Sequence, residues 1–201
     1  MIKAIIFDVG GVLVRTIDHT MRMKLANEYG LSLPEINKLV FGISDNRNPQ
    51  LGQINWQEHF ENICKELAVD EDEGEDFIDL FFAGDQLNSE LLDFIKEHKQ
   101  NYKIAILSNA LSNLRELMAN SWGIIDLFDE IVNSSEEGCM KPDLKFYNIA
   151  LKRLDVQAHE AIFIDDMPEN ITAAEEIGIH GIRFENNKQT LSAIDNLLEK
   201  D

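Results

Sequence analysis

The chain has 201 residues, 44% of them apolar and 8% aromatic, and carries a net charge of −19. A chain of this length buries roughly 70% of its unfolded surface in one large domain, or in a core with an insert, and its composition excludes a disordered protein. The charge excludes a general nucleic-acid or anionic-membrane binder, whose footprint is basic. It does not exclude a phosphorylated small molecule as partner, because a local cation and a lysine can reverse the field inside a pocket.

Lys3 and the apolar run Ala4–Phe7 imitate a signal peptide, but Asp8 interrupts the run and no clean cleavage site follows. The run reads instead as a first strand buried on both faces. Helical patterns then cover residues 16–29, 34–41, 56–67 and 77–83, with no convincing strand among them. The acidic stretch 70–76, DEDEGED, reads as a solvated loop or a helix start, and its spacing fails the calcium-loop pattern. From about residue 101 the chain alternates. Apolar runs at 104–107, 161–164 and 181–184, with a weaker one at 130–133, are interleaved with helical patterns over 111–121, 143–154, 168–177 and 191–198. This predicts the α/β class, with a Rossmann-like parallel sheet and a helical insert after its first strand. Nothing approaches the roughly 18 continuous apolar residues of a membrane span. Two cysteines, Cys64 and Cys139, provide no disulfide framework or zinc site, so a reduced, cytoplasmic protein is expected.

Polar groups follow the predicted strands. Asp8-Val9-Gly10-Gly11 follows the first, Ser108-Asn109 the second and Asp165-Asp166 the third, while Lys141 precedes a predicted helix. In open α/β sheets the C-terminal strand edge is where ligands bind. A carboxylate such as Asp8 can attack phosphorus and form an aspartyl-phosphate. Carboxylate and phosphate repel, so the site needs a cation, and Asp8 with Asp166 offers oxygen ligands for Mg²⁺. Ser108 can donate to a phosphate oxygen, and Lys141 can neutralise the transferring group and keep Asp8 ionised. Read singly, each has a blander role: Asp8 as turn former, Ser108-Asn109 as helix cap, Asp165-Asp166 before Pro168 as helix start, Lys141 as surface lysine.

Taken together, these motifs resemble the haloacid dehalogenase (HAD) superfamily. They stand in the family's order, with family-like gaps, from residue 4 to about residue 178. The resemblance implies a catalytic core over residues 1–14 and 89–201, and a helical C1 cap over 15–88, where Gly52-Gln53-Ile54 to Phe60 also looks cap-like. It points to the branch of sugar phosphatases and the epoxide hydrolase N-terminal domain. It implies a Mg²⁺-dependent phosphatase of a small phosphorylated metabolite. Asp8 is then nucleophile and metal ligand. Ser108, Asn109 and Lys141 bind the phosphoryl group, Gly10 (by its carbonyl) and Asp166 complete the metal site, and Asp165 and Asn170 support it from behind.

The sequence departs from the family at one position. Most phosphatases of the family have an acid/base Asp two residues after the nucleophile, and here that residue is Gly10. Such a group contributes roughly 10²–10⁴-fold. Three outcomes are open: substrates with better leaving groups, such as anomeric, aryl or acyl phosphates; a proton from the cap, with Asp18 and His19 near in sequence; or a non-catalytic phosphate-binding or interaction module. A metal-independent haloacid dehalogenase is a further alternative, disfavoured by Gly10 where that branch carries an aromatic. Arg15, and Arg47 in the loop from Asp45 to Gln50, are candidates for the cap cleft, though ordinary surface roles suit them better. The five histidines show no metal spacing.

Overall fold

The computed structural model describes residues 1–42 and 47–199. In chain order the first strand is β1 (Ala4–Phe7), followed by the short β2 (Val14–Thr16). Helices α1 (Thr20–Glu28), α2 (Leu33–Phe41), α3 (Trp56–Leu67) and α4 (Glu71–Phe82) come next. The chain returns through β3 (Asp85–Leu87) and α5 (Ser89–His98) to β4 (Lys103–Ser108). Helix α6 (Leu114–Glu116) runs on into a π-helical turn over Leu117–Ser121. Then come β5 (Glu130–Asn133), α7 (Ser134–Glu137), α8 (Leu144–Leu154), β6 (Ala161–Asp165), α9 (Pro168–Glu176), β7 (His180–Arg183) and α10 (Asn187–Leu198).

Strands β5-β4-β1-β6-β7 form one sheet in that order, and every pair in it is parallel. The expected Rossmann-like α/β core is therefore present. Alternation along the strands sends side chains to two separate apolar cores. Ile5, Phe7, Ile104, Ile106, Ile162 and Ile164 face the layer of α5 and α10. Ala4, Ile6, Ala105, Leu107, Ala161 and Phe163 face the layer of α8 and α9. Burial on both faces explains why these strands read as unbroken apolar runs. Because the sheet is parallel, Asp8, Ser108, Asn133 and Asp165 emerge along one edge.

Helices α1–α4 have a core of their own, built from Leu25, Ala26, Ile36, Val40, Ile63, Phe77 and Phe81. Arg22 ties it to the β2–β3 ribbon. Its guanidinium contacts both oxygens of Asp85 at 2.8 and 2.9 Å, donates from Nε to the Phe81 carbonyl at 2.9 Å, and lies 4.1 Å from the centre of the Phe81 ring.

Three features differ from the sequence expectations. The antiparallel ribbon of β2 and β3 was not anticipated, because each strand has three residues and only partial burial. Helix α5 lay unmarked although Leu91, Leu92, Phe94 and Ile95 bury one face. Helix α4 begins at Glu71, ahead of the predicted bound at residue 77 and in keeping with the helix-start reading of 70–76, since Asp70 accepts from the Glu73 N–H and the acidic first turn suits a helix N-terminus. No helix among the described residues is long and apolar enough to cross a membrane.

Candidate active site

The loop after β1 carries Asp8, which is buried. Its N–H donates to the Ile164 carbonyl at 2.9 Å, so the backbone pairing of β1 with β6 continues one residue past the strand. Asp8 Oδ1 accepts from the Val9 N–H at 2.7 Å and contacts Lys141 Nζ at 2.8 Å. Burial raises the Asp8 pKa to about 6; Lys141 and the Ser108 hydroxyl pull it down, and Asp165 pushes it up.

Lys141 lies in the loop between α7 and α8 and is buried. Its ammonium bridges two carboxylates, Asp8 at 2.8 Å and Asp165 at 2.7 Å. Asn109 fixes the backbone of this lysine from both sides. Its Nδ2 donates to the Lys141 carbonyl at 3.0 Å and its Oδ1 accepts from the Lys141 N–H at 2.8 Å. The structure thus places the Asn109 carboxamide against the lysine loop.

Asp165 ends β6 and is fully buried. It accepts from Lys141 Nζ, from the Met167 N–H at 2.8 Å, and from Asn170 Nδ2 at 3.1 Å on each oxygen. Asn170, in the first turn of α9, is held in turn by the Tyr147 hydroxyl, which donates to its carbonyl at 2.9 Å. Asp166 is half-buried; burial raises its pKa, with Asp165 adding to the rise. Asp8, Asp165 and Asp166 offer oxygens that all lie within 4.8 Å of one another. Asp165 is saturated by its donors, so the pair left to take a cation is Asp8 with Asp166.

The two glycines behind Asp8 differ in kind. Gly11 has φ +79°, and a Cβ there would sit 2.5 Å from Asp166 Oδ2, so only glycine admits that carboxylate. Gly10 is exposed, and a Cβ built on it meets nothing within 4 Å.

Two supporting residues escaped the sequence reading. Asn133 donates from Nδ2 to the Leu111 carbonyl at 2.9 Å, and the Ser134 hydroxyl accepts from the Ala110 N–H at 3.0 Å. They brace the loop leaving Ser108. Their only signal was a polar pair closing the weakest of the apolar runs.

The helical insert reaches the same edge of the sheet. The Trp56 N–H donates to Ser112 Oγ at 2.8 Å, Asn48 Nδ2 lies 3.8 Å from Met140 Sδ, and a Cβ on Gly52 would meet the Ser135 carbonyl at 2.0 Å. Other sequence candidates are placed elsewhere. Asp18 is exposed and accepts from the Thr20 N–H at 2.8 Å, while His19 is exposed. Arg15 lies 5.2 Å from the centre of the Phe184 ring. Arg47 pairs with Glu58 at 2.6 Å, and Asp45, where its loop begins, lies outside the described residues.

Comparison with known proteins adds a family to this geometry. The model of the haloacid dehalogenase-like hydrolases matches residues 2–178. A sesquiterpene phosphatase of Aspergillus oryzae is 46% identical over 65 residues, which are 32% of this chain and 33% of that protein. The chain aligns with a third or less of the length of the first three curated relatives it matches. The D-ribitol-5-phosphate phosphatase of Bacteroides thetaiotaomicron is 25% identical over 208 residues, covering 96% of this chain and 98% of that one. A HAD-family enzyme from the same organism, crystallised with magnesium and inorganic phosphate, superposes with a TM-score of 0.74 at 21% identity, over 91% of this chain and 94% of that one.

Proposed function

Because the chain belongs to the haloacid dehalogenase-like hydrolases, we propose that it is a phosphatase of small phosphorylated metabolites, acting through an aspartyl-phosphate on Asp8. The observation that carries this reading is the buried Lys141 ammonium bridging Asp8 and Asp165, beside an Asp8–Asp166 carboxylate pair at the C-terminal sheet edge.

The donor set suits Mg²⁺: a hard cation that takes carboxylate and carbonyl oxygens and completes its shell with waters and phosphate. Asp8, Asp166 and the Gly10 carbonyl would hold it, and when bound it neutralises charge on the phosphoryl oxygens. A HAD-family enzyme of similar fold crystallised with magnesium and inorganic phosphate supports magnesium as the cation.

Asp8 supplies the nucleophile. Its Oδ1 is held by Val9 and Lys141, which aims the carboxylate and limits its rotation. A carboxylate oxygen forms a bond to phosphorus while the bond from phosphorus to the leaving oxygen breaks. Water then attacks the acyl-phosphate, releasing inorganic phosphate and restoring Asp8. The Lys141 ammonium and the Ser108 hydroxyl stabilise charge on the equatorial oxygens, in place before the reaction begins. We assign residues 1–14 and 89–201 to the catalytic core, and residues 15–88 to a cap that excludes water from the transfer step. The separate apolar core of α1–α4 and its contacts to Ser112, Ser135 and Met140 support that division.

The test is phosphate release from a panel of sugar, nucleotide, aryl and acyl phosphates, with Mg²⁺, with chelator, and with Asp8→Asn. Metal-dependent release that disappears in the variant is expected. Wild-type turnover by Asp8→Asn, or no release from any compound by folded, magnesium-loaded protein, overturns the reading.

A further inference from the structure

We propose that this active site expels its leaving group without protonating it, so that its substrates are phosphates whose leaving oxygen has an acidic conjugate acid. These are acyl, enol, aryl or anomeric phosphates, as opposed to primary alkyl esters. The inference rests on the phosphatase reading and narrows its substrate class.

The first ground is Gly10. It stands two residues beyond the nucleophile, its backbone lies outside the left-handed region, and the space its side chain would enter is open for 4 Å. The position therefore tolerates a side chain and lacks one. Nothing packs into the gap as a structural reason for glycine, in contrast to Gly11 beside it.

The second ground is that, among the described residues, the acidic and phenolic groups around Asp8 are committed. Asp165 accepts four hydrogen bonds and has no free lone pair. Asp8 is the nucleophile, and Asp166 pairs with it for the cation. The Tyr147 hydroxyl donates to the Asn170 carbonyl. The two groups from the insert that sequence proximity suggested do not fill the role: Asp18 is engaged with the Thr20 N–H, and both it and His19 are exposed.

In the transfer step the new bond joins an Asp8 oxygen to phosphorus. The breaking bond leaves its electron pair on the departing oxygen, which leaves as an anion and takes its proton from water outside the site. Such a step is fast only when that anion is stable.

The test is kcat/KM for acetyl phosphate, p-nitrophenyl phosphate, phenyl phosphate, glucose 1-phosphate and glucose 6-phosphate with Mg²⁺. Wild type, Gly10→Asp and Gly10→Asn are compared. Wild-type kcat/KM should fall by at least about 10²-fold from acetyl and p-nitrophenyl phosphate to glucose 6-phosphate, the lower bound of what a positioned acid supplies. Within the Gly10→Asp protein, the ratio of the glucose 6-phosphate value to the p-nitrophenyl value should rise by about 10²-fold or more over the wild-type ratio. In Gly10→Asn, of the same size without the proton, it should not. A flat wild-type series, or equal gains from Asn and Asp, overturns the proposal, and the wild-type series decides even if a variant does not fold. No release from acetyl or p-nitrophenyl phosphate overturns the phosphatase reading itself, and this inference with it.

Discussion

Asp165 Oδ2 lies 2.7 Å from the Lys141 ammonium, and both side chains are buried. A buried lysine is stable only if its charge is matched and its donors are filled. In the proposed mechanism Asp8 is the nucleophile, while Asp165 is held by Asn170 and Met167. Asp165 would then hold Lys141 beside Asp8 without taking part in bond making.

Replacing that partner should misplace the lysine without removing it. Asp165→Asn is expected to lower kcat for phosphate release by about 10–100-fold, the usual effect of losing a supporting contact of this kind. The KM for substrate should change less than kcat. Steady-state kinetics on the best panel substrate checks this, and an unchanged kcat contradicts the positioning role of Asp165.

Gly11→Ala adds a methyl where Asp166 already sits, at 2.5 Å, and forces a side chain into a left-handed backbone. The backbone alone costs about 1–2 kcal/mol, and the clash must push the Asp166 carboxylate aside. Loss of stability in urea, together with weaker Mg²⁺ binding by calorimetry, is the expected pair of results. Reduced stability with wild-type Mg²⁺ affinity would detach Asp166 from the cation site.

The sheet was legible because burial on both faces leaves no polar residue to interrupt a strand, so β1, β4 and β6 stand out as bare apolar runs. The site was legible because each run is followed by groups that a sheet edge would bring together. The β2–β3 ribbon left no such trace, since Val14-Arg15-Thr16 and Asp85-Gln86-Leu87 are short and half-exposed. Their pairing is set by Arg22 reaching Asp85, a contact 63 positions apart in the chain. The Asn109 clamp on Lys141 was equally silent. An asparagine after a strand reads as phosphate binder or cap, and only the fold shows both ends of its carboxamide against the backbone of one residue, Lys141.

The pH dependence of stability has a defined sign. Burial raises Asp8 from 3.8 to about 6 in the folded protein. A carboxyl raised on folding stabilises the protein below its unfolded pKa, and that contribution is lost as pH climbs through the folded value. In chelator, the Tm of wild type should therefore drop relative to Asp8→Asn between about pH 4 and 6. Added Mg²⁺, which binds the ionised carboxylates of the folded state, should raise the wild-type Tm near neutral pH. A Tm difference between the two proteins that is constant across this range in chelator contradicts the assignment.

Arg22 ties the helices of the insert to the β2–β3 ribbon. Its side chain is 8% exposed and that of Asp85 is 14% exposed, so removing the arginine strands a largely buried carboxylate and the Phe81 carbonyl. Breaking a buried pair from one side typically costs about 3–5 kcal/mol. Arg22→Met, which keeps the apolar stem over the Phe81 ring, should therefore destabilise by about 3 kcal/mol. Arg22→Lys should lie between, because an ammonium cannot reproduce a guanidinium that holds Asp85 through Nη2 and the Phe81 carbonyl through Nε at once. The two tryptophans separate the effect by location: Trp56 is in α3 of the insert, and Trp122 packs against the α5–α10 side of the sheet. Urea denaturation of single-tryptophan proteins should show the Trp56 transition in Arg22→Met shifted to lower urea by more than the Trp122 transition. Coincident shifts would mean that the insert and the sheet unfold as one cooperative unit, with Arg22 stabilising the whole and not the junction.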